Sequence, residues 1–203
     1  MQRAARWLSR QNITPNQISL ASIVFAALAA LCLVRLSTAE AIAVWPLSLM
    51  AVFFILCRAL CNMFDGMVAV EGGKKTASGE LFNDIPDRIA DPLIIISAGY
   101  AATVASWAPE LGWCAGLLAV MTAYVRTLAR SIGAPPDFRG PMSKVPRMAL
   151  IAIAVLLTPL ESLFWQRGTL LFLVLLIIAA GCVVTIWNRA YFAYRYLEGK
   201  TGV

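Results

Sequence analysis

Between residues 61 and 91 the chain reads CNMFDGMVAVEGGKKTASGELFNDIPDRIAD, and six of its eleven acidic residues fall there: Asp65, Glu71, Glu80, Asp84, Asp87 and Asp91. The chain has no histidine, which removes Ser-His-Asp and Cys-His nucleophiles and the HExxH zinc arrangement. Cys32, Cys57, Cys61, Cys114 and Cys182 all lie in apolar segments with no CxxC pair, so they read as small packing residues and not as a zinc site. What remains is chemistry by carboxylates, lysine, arginine or a metal. At about 3.6 residues per turn, Arg58, Asn62, Asp65 and Ala69 share one face of a helix, and Asn83 or Asp84 shares a face of the next with Asp87 and Asp91. Two such oxygen-rich faces on antiparallel neighbours suit a hard cation, Mg²⁺ or Mn²⁺, held together with substrate phosphate. Glu71 and Glu80, in the loop EGGKKTASGE, read as solvated charges. The aspartates do not, because carboxylates at the ends of membrane helices are costly unless they serve a site. GGKKT is not a nucleotide P-loop: Lys75 stands where Ser or Thr should follow, no Gly opens the motif and no strand precedes it.

The elements that position these residues are membrane helices. The chain is 60% hydrophobic and 14% charged over 203 residues, outside the range of soluble domains. Six apolar runs approach the length that crosses about 30 Å of hydrocarbon, near residues 17–38, 42–64, 82–104, 110–130, 146–165 and 169–192. Backbone groups in lipid must be paired within their own segment, so the expected fold is an all-α integral membrane protein, one domain over 1–203 with six transmembrane helices. Of the 17 Lys and Arg residues, all but Arg35 and Arg167 fall on one side of that topology. The positive-inside rule then puts both termini and the acidic stretch in the cytoplasm, as for a multi-pass protein of a bacterial inner membrane. The net charge of +6 needs no nucleic acid, since anionic lipid accounts for it. MQRAARWLSRQ, before the first run, reads as a short interfacial helix and not as a cleaved signal peptide. Trp45, Trp107, Trp113, Trp165 and Trp187 read as interfacial anchors.

The acidic stretch resembles the signature of the CDP-alcohol phosphatidyltransferases, DxxDGxxAR, eight residues, then GxxxDxxxD. Aligned without a gap from residue 62 to residue 87, Asn62 takes the first Asp position, Asp65 the second, Gly66 and Ala69 match, Val70 replaces the Arg, Gly79 matches, Asn83 takes the third Asp position and Asp87 the fourth. ITPNQISLAS before the first run is similar to the family's TPN element, and YVRTLARSIG with GPMSKVPRMAL resembles the basic elements of its phosphate-accepting members. The resemblance implies transfer of a phosphatidyl group from a CDP-activated donor, CDP-diacylglycerol, to an alcohol with release of CMP, in phospholipid synthesis, by a homodimer. It implies that the first three aspartate positions bind divalent metal on the pyrophosphate and that the fourth is the base. Carried over, Asp87 is the base, and Asn62, Asp65, Asn83 and Asp87 are ligands of Mg²⁺ or Mn²⁺. Asp84 and Asp91 replace the charge lost at the two asparagines. Arg58, Asn62, Asp65, Gly66, Ala69, Lys74 and Gly79 line the donor site, with Lys75 a further partner for the pyrophosphate. Arg126, Arg130, Arg139, Lys144 and Arg147 bind a phosphorylated acceptor such as glycerol 3-phosphate or an inositol phosphate, because arginine forks match phosphate oxygens. The plainer reading of these basic residues is topology and lipid-headgroup contact.

Two other classes compete. Asn62, Asn83 and Val70 motivate a catalytically degenerate CDP-lipid-binding membrane protein, against which stands the retained acidic face. An ion path through the carboxylates is disfavoured because the acids gather at one membrane face and no inverted repeat is evident.

Overall fold

The computed structural model describes residues 14–71 and 79–201, without the side chains of residues 69–71, 80, 83, 200 and 201. The stretch read as an interfacial helix, together with Lys74 and Lys75, lies outside the described residues, as do the side chains of Ala69 and Asn83. Six helices are present among the described residues: α1 Pro15–Leu36, α2 Ala41–Glu71, α3 Gly79–Ala101, α4 Ala108–Ser131, α5 Lys144–Glu161 and α6 Thr169–Thr201. Four stretches, Pro15–Leu36, Ala41–Val68, Ala108–Ser131 and Thr169–Gly199, are long and apolar enough to cross a membrane. The sequence suggested six. The helix α5 has only 18 residues and includes Lys144, Arg147 and Glu161, while α3 carries the site acids and two internal prolines.

The TPNQ stretch starts α1 for a local reason. Thr14 Oγ1 accepts the Gln17 backbone N–H at 3.3 Å, and Gln17 Oε1 accepts the Thr14 N–H at 3.0 Å. This capping box, with Pro15 in the first turn, pairs N–H groups the helix leaves open and stabilises the start by about 1 kcal/mol. It also sets the register that carries Ser19 into the bundle.

The helices touch in a closed ring, α1 to α2, α2 to α5, α5 to α6, α6 to α4, α4 to α3 and α3 back to α1, with α3 also reaching α5 and α6. The interior is apolar, with Leu33, Ile94, Ile95, Ile151, Leu171, Leu175 and Ile178 fully buried. The outward faces are apolar too: Leu20, Val24, Leu117 and Trp187 are exposed, as suits helices solvated by hydrocarbon. The α3–α4 contact is close because both helices present glycine. A Cβ on Gly99 would lie 2.7 Å from the Ala108 carbonyl oxygen and 2.8 Å from the Gly112 Cα, so only small residues allow these backbones to meet.

The two ends differ. At one, the α5–α6 loop ties down its neighbours: Arg167 Nη1 donates to the Ala39 carbonyl at 2.8 Å, Thr103 Oγ1 donates to the Arg167 carbonyl at 3.0 Å, and Glu161 accepts the N–H groups of Gly168 and Leu170 at 2.7 and 2.5 Å. Gly168, at φ 90°, is needed there because a Cβ would lie 2.7 Å from the Thr103 nitrogen. The other end, where α2, α4 and α6 finish and α3 and α5 begin, holds the candidate site.

Candidate active site

The α2 and α3 faces meet as the periodicity predicts. Asn62 Nδ2 and Arg58 Nη2 each donate to Asp87 Oδ1 at 3.0 Å. The Lys144 ammonium, from the first residue of α5, donates to Asp87 Oδ2. One turn beyond Asp87, Asp91 is 2% exposed and pairs with Arg58, while Arg147 Nη2 lies 3.7 Å away. One turn beyond Asn62, Asp65 accepts Ser19 Oγ–H from α1 at 2.7 Å and the Gly66 N–H at 2.6 Å. Asp65 has neutral donors and no ion pair among the described residues, while Asp87 and Asp91 each have two cations. Gly66 is exposed, and a Cβ there would meet nothing within 4 Å.

Asp84 stands apart. It pairs with Arg88 at 2.8 Å and Arg126 at 3.3 Å, with its side chain 42% exposed. The expected replacement of charge by Asp84 and Asp91 therefore meets a different geometry: Asp84 faces two arginines at the surface and Asp91 is enclosed by Arg58 and Arg147. Among the described residues no three acidic side chains converge on a point that a metal could occupy. A hard cation at this end would draw on the Asp65 carboxylate and on the carbonyl oxygen of Asn62, whose amide nitrogen donates to Asp87. Gly79 opens α3.

Two cavities share Lys144 and Val145 in their linings. An apolar groove of about 420 Å³ between α2 and α5 is walled by Ile55, Leu56, Ala59, Met63, Met148, Ala149 and Ala152, with Arg58, Asn62 and Lys144 at its polar end. A basic pocket of about 250 Å³ is lined by Asp87, Arg88, Thr122, Arg126, Ser143, Lys144, Arg147 and Arg189. Lys144 lines both cavities.

Arg126, Lys144 and Arg147 of the sequence-predicted basic set reach this pocket; Arg130 and Arg139 do not line it. Arg130 is exposed on α4. Arg139 pairs with Asp137 at 2.9 Å, lies 4.2 Å over the Phe192 ring and borders a separate cavity with Asn188, Tyr191 and Arg195. Its side chain follows the loop before α5 away from the pocket.

Two site residues were not assigned a role from sequence. Ser19 lies in the ITPNQISLAS stretch, five residues past the Thr14 N-cap, where the register of α1 turns its hydroxyl to Asp65. Arg189 was counted only as a topology charge, although an arginine inside VVTIWNRAYF, an otherwise uncharged stretch, is the available signal. Arg189 donates to the carbonyls of Thr122 at 2.7 Å, Arg139 at 3.0 Å and Phe138 at 3.4 Å. Arg147 Nη1 donates to Thr122 Oγ1 at 3.1 Å and the Met142 carbonyl at 2.9 Å. These dipoles orient the guanidinium of Arg189 without cancelling its charge, so the pocket stays positive.

The chain is 26% identical to inner membrane protein YnbA of Escherichia coli (strain K12) over 179 residues, covering 82% of each chain. It is 25% identical over 198 residues to an uncharacterized protein of Aquifex aeolicus (strain VF5), covering 96% of this chain and 89% of that one. Its fold is similar to that of Mycobacterium tuberculosis phosphatidylinositol phosphate synthase (PgsA1), solved with CDP-DAG bound, at TM-score 0.75 and 18% identity over 95% of this chain and 92% of that one. The same enzyme in complex with manganese and citrate superposes equally well, at TM-score 0.75 and 19% identity over 95% and 88% of the two chains. The sequence pattern of the CDP-alcohol phosphatidyltransferases matches residues 12–190, which takes in both the α2–α3 signature and the basic pocket; the chain belongs to that family and is an enzyme of its class.

Proposed function

We propose that the protein transfers a phosphatidyl group from CDP-diacylglycerol to a phosphorylated alcohol, releasing CMP, at the cytoplasmic face of a bacterial inner membrane that its six helices span. The observation that carries this reading is that an apolar groove and a basic pocket both border Lys144, whose ammonium pairs with Asp87 in the basic pocket. A lipid-borne donor needs the first, an anionic acceptor needs the second, and the reacting atoms must meet between them. The relatives support it: PgsA1 was solved with CDP-DAG bound, and YnbA is named an inner membrane protein.

The acyl chains lie in the groove between α2 and α5, and the pyrophosphate reaches the ends of α2 and α3, where Gly66 leaves the backbone open to close approach. Arg126, Arg147 and Arg189 hold the acceptor phosphate, so glycerol 3-phosphate or an inositol phosphate fits better than serine, choline or ethanolamine. The acceptor hydroxyl attacks the phosphatidyl phosphorus. A new P–O bond forms, the bond to the CMP oxygen breaks, and the hydroxyl proton goes to Asp87. A carboxylate has roughly four lone-pair directions. Arg58 and Asn62 take those of Oδ1 and Lys144 takes one of Oδ2, which leaves Oδ2 a direction for that proton. Asp65 and Asn62 would hold a divalent cation, which supplies charge neutralisation on the transferring group when bound.

The test is CMP release by the purified protein with CDP-diacylglycerol and Mn²⁺ or Mg²⁺ across phosphorylated and unphosphorylated alcohols. Release with a phosphorylated acceptor, lost in Arg189→Met through a raised acceptor KM, is expected. Release with an unphosphorylated alcohol alone would overturn the acceptor assignment, and donor binding without release for any acceptor would favour the non-catalytic reading.

A further inference from the structure

A cavity of about 340 Å³ lies outside the reaction site, between the α4–α5 loop, which gives it Asp137 and Arg139, and α6, which gives it Asn188, Tyr191, Phe192 and Arg195. The four α6 residues recur at helical spacing and so share one face of that helix. At about 1.5 Å per residue, the roughly 20 residues that cross the hydrocarbon from Thr169 end near Asn188, which puts this face at the depth of lipid headgroups. Trp187, Tyr191 and Tyr194 are exposed beside it, rings of the kind that settle at a membrane–water interface. Arg139 and Arg195 do not line the basic pocket, and Arg126, Arg147 and Arg189 do not line this cavity.

We propose that this cavity binds the headgroup of an anionic glycerophospholipid of the surrounding bilayer, with Arg139 and Arg195 on its phosphodiester. The Arg139 guanidinium is held in place by the protein itself. Its Nε donates to Asp137 Oδ1 at 2.9 Å, the backbone N–H of Arg139 donates to the same oxygen at 2.9 Å, and the guanidinium lies 4.2 Å over the Phe192 ring. The loop that carries it is docked as well: the Arg139 carbonyl accepts Arg189 Nε–H at 3.0 Å, and the Met142 N–H donates to Thr185 Oγ1 at 3.0 Å. With Nε spent on Asp137, the Nη groups of Arg139 have no protein partner among the described residues. A guanidinium edge left open is a fork matched to two phosphate oxygens, and one fixed beforehand loses little freedom when a ligand arrives. Arg195 is exposed on the same face, and two arginines against one aspartate leave the lining positive. A soluble anion would need only the cations. The exposed rings and the depth along α6 favour a ligand that comes from the bilayer, whose anionic headgroups attract arginine at this level.

The experiment is native mass spectrometry of the detergent-purified full chain, titrated in separate arms with dioleoyl phosphatidylglycerol, dioleoyl phosphatidylcholine and inorganic phosphate. Phosphatidylglycerol is expected to bind about tenfold more tightly than phosphatidylcholine, which has the same acyl chains and phosphodiester but no net charge. Arg139→Gln and Arg195→Gln should each weaken phosphatidylglycerol by about fivefold, the scale for one arginine at an anionic membrane surface. Arg126→Gln, in the basic pocket, should change it by less than about twofold. Arg195→Gln alters an exposed helical position, so it reads the site even where Arg139→Gln disturbs the loop. Equal affinity for the two lipids, or a loss at Arg126→Gln as large as that at Arg195→Gln, would overturn the proposal. Inorganic phosphate bound as tightly as phosphatidylglycerol, and lost in the same two variants, would replace the lipid with a soluble anion.

Discussion

Glu161 and Asp87 are both carboxylates enclosed by the bundle, at opposite ends, and their partners differ in kind. Glu161 is 2% exposed and accepts two backbone N–H groups of the α5–α6 loop. Asp87 accepts from Arg58, Asn62 and Lys144, all side chains, at the wall of a cavity. A backbone donor cannot leave without unfolding its turn, so Glu161 is locked and serves only to close the loop. A side-chain donor can take a new partner, so Asp87 is held in place yet remains open to exchange when a ligand arrives. What separates a structural carboxylate from a chemical one in this molecule is therefore the mobility of its donors and not the degree of its burial.

The largest effect that would sharpen the contrast is on turnover. Asp87→Asn should reduce CMP release per folded protein by about 10²–10⁴-fold, the range for losing a general base, and should also lower the thermal midpoint, because the amide takes a counter-charge from buried Arg58 and turns a donor toward another donor. If turnover survives, Asp87 is structural like Glu161 and the contrast fails. Next, Glu161→Ala should lower stability by about 2–4 kcal/mol, since two N–H groups of the loop lose their acceptor, with KM for the donor unchanged in the protein that remains folded. A thermal or chemical unfolding measurement reads the first and donor titration the second. Smaller again, Ser19→Ala should weaken Mn²⁺ binding by about tenfold, because Ser19 orients the Asp65 carboxylate from behind; unaltered metal affinity would show that Gly66 alone suffices. The smallest change is expected at Arg139→Ala, which removes a cation that pairs with Asp137 and faces a separate cavity. The acceptor KM should stay within about twofold there, as for surface ion pairs, and a large rise would extend the acceptor pocket beyond its lining.

Much of the site was legible in the chain. The spacing Arg58, Asn62, Asp65 on one helix and Asp87, Asp91 on the next placed the two faces, because a helix repeats with a fixed angle and the loop between them is short. The pairing of their charges was not legible. Asp84 and Asp87 differ by three residues and look alike as letters, yet one pairs with Arg88 and Arg126 at the surface and the other with Arg58 and Lys144 inside. Arg139 and Arg147 likewise belong to one basic stretch but end in different cavities. Lys144 looked like one more phosphate-binding cation, and its contact with Asp87 depends on where α5 begins, set by a chain segment 57 residues further on.

The sequence by itself determined that the chain is helical and apolar, which run becomes which helix, and that the acids gather at the end opposite Arg35 and Arg167. These follow from hydropathy, charge and periodicity, which are local properties readable one segment at a time. Only the tertiary structure decided that α2, α3 and α5 meet so that Lys144 answers Asp87 while Asp65 is left to Ser19, and that Arg189 from the last helix completes the basic pocket. Those pairings depend on distances between segments far apart in the chain, and Coulomb energy varies with distance and surroundings and not with residue type alone.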